Sequence, residues 1–111
     1  MFHSSNENGF ENVLPGIKIK TLTFGELTLF TEFRMEKGSL LPNHSHSNEQ
    51  TGYLIKGKVK LKIGNEQYNV KPGDCWSIGK DIEHNAEILE DSVAIEVFSP
   101  VREDYKKYFK D

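Results

Sequence analysis

The chain lacks several features that would commit it to familiar functions. It has a single cysteine, Cys75, in 111 residues, so no disulfide can close within it. No apolar run approaches the ~20 residues that cross a bilayer as a helix, so no membrane-spanning helix is expected. Fourteen Lys and Arg stand against seventeen Asp and Glu, for a formal charge of −3. The cationic residues form no cluster, which argues against nucleic acid as a partner. Met1–Gly9 has no basic stretch followed by an apolar one, so no secretory signal is expected. With the lone cysteine, that points to the cytoplasm. Long stretches of helical periodicity are missing too, which disfavours a helical bundle.

What remains is a chain of short alternating segments. Residues 1–12 are polar and read as a flexible tail ahead of one domain over 13–111. Ile17–Phe24 alternates apolar and polar almost strictly, and Leu27–Met35 is rich in β-formers. Gly25-Glu26 between them suits a hairpin turn. Val59, Leu61 and Ile63 alternate with Lys58, Lys60 and Lys62, which gives one buried and one solvated face. Gly64-Asn65 then turns the chain into Glu66–Val70. Lys71-Pro72-Gly73-Asp74 reads as a type II turn, with Pro where φ is fixed and Gly where φ is positive. Further strands are expected over Cys75–Ile78, His84–Leu89 and Ser92–Phe98. Turn signals this frequent predict an all-β sandwich or barrel. Only the end reads as helix, with Ser99 as cap, Pro100 at the first position and Arg102–Phe109 as the body.

Chemistry is concentrated in four residues. His44 and His46 are two apart, so on a strand their imidazoles share a face. Gln50 follows closely, and His84 lies far downstream, where the fold must bring it in. Imidazoles gathered this way suit a transition metal. Near the C-terminus, Glu96 is a lone carboxylate in an apolar strand. Alternation puts it on one face with Ala94 and Phe98. A buried carboxylate needs a partner or its pKa rises. Glu96 is thus either a general acid or base beside the metal, an exposed edge residue, or a structural partner of Arg102. Cys75 reads as a buried, inert thiol and His3 as a solvated histidine. Trp76 and Tyr53 read as core or pocket wall. Glu103 and Asp104 suit the first turn of the helix.

Gly38, His44, His46, Gln50 and Gly57, with Gly73 and His84, resemble the two motifs of a small single-domain cupin (type 2). Gly79 and Asp81 depart from that pattern, where Pro and Gly are usual. The resemblance implies a double-stranded β-helix of jelly-roll type with a short C-terminal helix. It implies metal ligation by His44, His46, Gln50 and His84, with neighbouring Glu49 the alternative fourth ligand. The cofactor implied is a divalent transition metal: zinc, nickel, manganese, iron or copper. Three imidazoles and an amide leave its full +2 charge, which suits Lewis-acid work. Small cupins commonly pair, so a homodimer is implied.

The segment from Glu96 to Asp104 is also similar to the cupins of pectin and alginate breakdown that linearise unsaturated uronates. There it reads approximately Asp-Val-Phe-Ser-Pro-Pro-Arg-Glu-Asp. Carried over, Glu96 takes the place of a catalytic Asp, one methylene longer. Phe98 would form a substrate wall, and Arg102 would grip an acidic sugar by its carboxylate as a catalytic and binding residue. The function implied is a metal-dependent isomerase or ring-opening enzyme. The alternatives are a non-catalytic module that binds a small ligand or metal, and a non-haem iron dioxygenase.

Overall fold

Alternating apolar residues build antiparallel strands, and the strands close around one interior. The computed structural model describes residues 1–110; Asp111, the last residue of the expected domain, lies outside them. The strands are β1 (Glu11–Leu14), β2 (Ile17–Phe24), β3 (Leu29–Met35), β4 (Leu40–His44), β5 (Glu49–Ile63), β6 (Glu66–Val70), β7 (Cys75–Ile78) and β8 (His84–Ser99). The hydrogen-bonded path runs β1-β2-β3-β8-β5-β6, with β4 added to β8 and β7 to β5.

Two long strands hold this together. β5 and β8 pair along their lengths, from Glu49↔Ser99 to Ile63↔His84. One half of β8 carries β3 on its other edge and the other half carries β4. Likewise β5 carries β7 and then β6. The two halves face one cavity, lined from β3 through β8, which makes the sheet a jelly-roll barrel. Ile17, Ile19, Leu54 and Ile88 are fully buried within it.

Gly57 marks the fold-over. The β5–β8 register shifts three times between Leu54 and Val59. Inward positions are Gln50, Gly52 and Leu54 before the shift, and Val59 and Leu61 after it. A bulge changes which residues face in, and that is why Val59–Ile63 reads as a separate strand from sequence. Gly57 has φ +101°, and a Cβ there would run into the Ser92 hydroxyl. β8 likewise continues through Glu90 and Asp91, where two strands were expected. These charged residues stay exposed while even-numbered positions point inward on both sides of them.

Several expectations change. The expected C-terminal helix is present as a 3-10 helix, and it spans Glu103–Tyr108 rather than Arg102–Phe109. Its bonds span three residues, as in Tyr105 N–H to Arg102 O and Phe109 N–H to Lys106 O. Ser99 belongs to β8 and caps nothing, and Arg102 precedes the helix in an extended conformation. Cys75 is exposed rather than buried, because the pairing Tyr53↔Cys75 falls on the outer face of β5 and β7. His3 is not simply solvated: it lies edge-on to Phe109 with ring centroids 5.0 Å apart. Within the stretch expected to be a tail, Glu11 and Asn12 belong to β1. Upstream, the Lys20 ammonium donates to the carbonyls of Asn6 and Asn8, each at 2.7 Å. No helix among the described residues is long and apolar enough to cross a membrane.

Candidate metal centre and cavity

Strand pairing gathers the three histidines. His44 ends β4 and pairs with His84 at the start of β8, and His46 follows in the β4–β5 loop. One ring nitrogen from each lies within 4.8 Å of the others. Each Nδ1 faces a backbone carbonyl: His44 to Pro42 at 2.7 Å, His46 to Asn48 at 3.0 Å and His84 to Ile82 at 2.9 Å. A carbonyl accepts only from N–H, so each Nδ1 carries a proton, and in the neutral ring the lone pair is on Nε2. Burial lowers the His84 pKa to about 4, and burial followed by the Arg102 charge lowers that of His46. Both imidazoles are neutral at pH 7, the form that ligates.

The turn before His84 is built on Asp81, with φ +61°. Its N–H donates to the His46 carbonyl at 2.9 Å, tying the two histidine loops together. Asp tolerates this left-handed conformation better than most residues, so it can stand where the motif has Gly.

Gln50 points inward and is buried, while Glu49 is exposed on the opposite face. The Gln50 Oε1 lies 2.7 Å from His46 Nε2. Two acceptors this close repel unless a proton or cation binds between them. His84 Nε2 is buried with no hydrogen-bond partner. A bare lone pair in a protein interior is costly, and a metal satisfies it. On both counts the residues fit a divalent ion.

Glu96 stands beside this group. It is buried and receives a hydrogen bond from Trp76 Nε1 at 2.8 Å. Burial pushes its pKa up to about 7, held back by hydrogen bonds from Gln50 and Trp76 and by the Arg102 charge. Arg102 does not form an ion pair with Glu96. Its Nε donates to the Asp104 carboxylate, 3.1 Å from Oδ1, and its guanidinium carbon lies 3.7 Å from the Tyr105 ring centroid. Phe98 is buried edge-on between His46 and Tyr105, with centroids at 5.5 and 5.3 Å.

His44, Gln50, His84, Glu96, Phe98 and Arg102 line one cavity of about 60 Å³. Its polar part holds His44, Gln50, His84, Glu96 and Arg102. Its deep part is apolar, with Leu54, Val59, Leu61 and Ile88. The space holds several waters or one small oxygenated group.

A cupin domain signature matches residues 31–99, more than half of the chain. The chain belongs to the cupin family. Among solved structures it is similar to KdgF from Halomonas sp., at 28% identity and a TM-score of 0.88, over 94% of this chain and 98% of that one. An RmlC-like cupin from Shewanella frigidimarina superposes equally well, with a TM-score of 0.88 at 23% identity over 94% of both chains, and shows the fold. No curated protein matches the chain.

Of the site residues expected from the sequence, His44, Gln50, His84, Glu96, Phe98 and Arg102 line the cavity, and His46 lies beside His44 and His84. Sequence reasoning left the role of Trp76 open and missed Gly52, Asn48 and Tyr105. Asn48 is buried, takes the His46 Nδ1 proton on its carbonyl and donates from its side chain to the Pro100 carbonyl at 2.7 Å. Gly52 carried a signal: a glycine inside a strand marks a close approach.

Proposed function

We propose that this cupin is a metal-dependent enzyme that opens and isomerises the ring of a small sugar acid, with a 4,5-unsaturated uronate the substrate class. His44, His46, Gln50 and His84 would hold the metal. A divalent ion there supplies Lewis acidity to a substrate oxygen. Zinc, nickel, manganese and iron all suit the donor set, and its neutrality favours this chemistry over oxygen activation.

The observation that carries the reading is Glu96, a buried carboxyl titrating near neutrality in the cavity lined by His44, His84 and Arg102. Ring opening removes a proton from the anomeric hydroxyl, breaks the ring C–O bond and delivers a proton to the far carbon of the double bond. No proton is gained or lost overall, so one carboxyl with a pKa near 7 can serve both transfers. Arg102 sits at the mouth and suits a substrate carboxylate, and Phe98 supplies the wall. The similarity to KdgF and the Glu96–Asp104 segment support this substrate class. A cavity of apolar groups alone would have favoured a passive binding module, and the cavity here is polar where the histidines stand. The implied homodimer fits the exposed Tyr53 and Ile55 on the outer side of β5, and sedimentation tests it.

The test is turnover of 4,5-unsaturated uronates by metal-loaded protein, followed by loss of the conjugated ultraviolet absorbance. Wild-type protein should consume the substrate and Glu96→Gln should not, at equal metal content. An active Glu96→Gln variant refutes the proton-transfer role.

A further inference from the structure

Three residues lie in one row across the barrel wall. Gly52 of β5 pairs with Trp76 of β7 on one side and with Glu96 of β8 on the other. All three turn inward. Strands are spaced about 4.8 Å apart, so Trp76 and Glu96 start roughly 10 Å apart with Gly52 between them. Any side chain at the middle position would block contact across the row. Glycine leaves it clear: a Cβ on Gly52 would collide with the indole of Trp76. The indole therefore lies over the Gly52 backbone and reaches Glu96, where Nε1–H meets Oε1 at 2.8 Å. On the far side, the Thr31 hydroxyl donates to the Glu96 carbonyl at 3.1 Å and fixes the main chain.

We propose that Trp76, seated on Gly52, is the positioning residue for the Glu96 carboxyl. The indole N–H is a donor with no acceptor capacity, so it always presents a proton to Oε1. It therefore limits rotation of the carboxyl group in the cavity. Glu has one more rotatable bond than Asp, and the indole supplies the restraint that the longer side chain needs. Pre-set orientation of a proton-transferring group acts on the chemical step more than on ground-state binding. The inference rests on the proposed catalytic role of Glu96 for its kinetic consequence, but its structural part can be tested without substrate.

Trp76 is the sole tryptophan, so the protein gives a single indole N–H resonance. In metal-free protein that resonance should exchange slowly with water and move on Glu96→Gln substitution. It should move again in Gly52→Ala, which keeps the indole but displaces it. Kinetically, Trp76→Phe keeps most of the packing and loses the donor. Its kcat should fall about 10- to 100-fold, the range expected for one hydrogen bond to a charged group, with KM within about twofold. Metal content should match the wild type. Gly52→Ala should show the same split, and if it fails to fold, Trp76→Phe decides alone. Wild-type kcat in Trp76→Phe overturns the assignment. So does an indole N–H that exchanges freely and ignores Glu96. If wild-type protein turns over no uronate, a resonance that responds to Glu96 still supports the positioning contact, and only the substrate reading fails.

Discussion

Replacing Glu96 by Gln should change the pH dependence of folding in a calculable way. The side chain is buried, and burial raises its pKa from 4.5 to about 7. A folded-state pKa above the unfolded value means that the folded protein prefers the protonated carboxyl. The stabilisation that follows is complete below about pH 4.5 and is lost as pH rises through about 7. The full difference corresponds to roughly 3 kcal/mol. Gln is nearly isosteric with protonated Glu and keeps an acceptor for Trp76, but it does not titrate. The stability of Glu96→Gln relative to wild type should therefore rise between pH 5 and 9 by up to that amount. Near 100 residues, this corresponds to a melting-temperature difference on the order of 10 °C. The assay is thermal unfolding of both metal-free proteins across that range. Comparing the two proteins at each pH removes the contributions they share. Parallel curves from pH 5 to 9 would refute the claim that this carboxyl is desolvated, and with it the basis for its acid–base role.

Other outcomes follow from the same geometry. Metal-free protein should lose stability as pH falls from about 6.5 through about 4, because the buried His84 must then take up a proton; His84→Gln should flatten that limb in acid unfolding curves. Arg102→Lys should raise KM at least tenfold with a smaller change in kcat, since an ammonium cannot reproduce the forked donor set; steady-state kinetics on the uronate checks it. Gly57→Ala should destabilise the barrel by about 2 kcal/mol or more, from its positive φ and the clash with Ser92, as read by chemical denaturation. Leu54→Ala, at a fully buried position, should cost about 2–5 kcal/mol by the same measurement.

The convergence of His44, His46 and His84 was legible through the spacing of the cupin-like motifs. His46 lies in the β4–β5 loop rather than on a strand with His44, and it is the phase of β5 that turns Gln50 inward and Glu49 outward. The inward face of Ala94, Glu96 and Phe98 followed from the same alternation. Where phase broke, legibility broke with it. The bulge at Gly57 hid that the Val59–Ile63 strand begins as far back as Glu49. Cys75 read as buried because strand composition does not reveal which face its partner strand offers. The Trp76–Gly52–Glu96 row depends on register between distant segments. Register is set by the closed barrel, not by any short stretch of sequence. The C-terminal segment has helix-forming residues and a suitable cap, yet tightens to 3-10 where Thr21 takes hold of the Tyr105 carbonyl at 2.7 Å.

Metal analysis of untagged protein, wild type beside His84→Ala, bears most directly on the central claim. Three imidazole nitrogens and Gln50 Oε1 gathered at one site predict close to one equivalent of divalent metal in the wild type and its loss in the variant. No metal in either protein after reconstitution would contradict the account at its root.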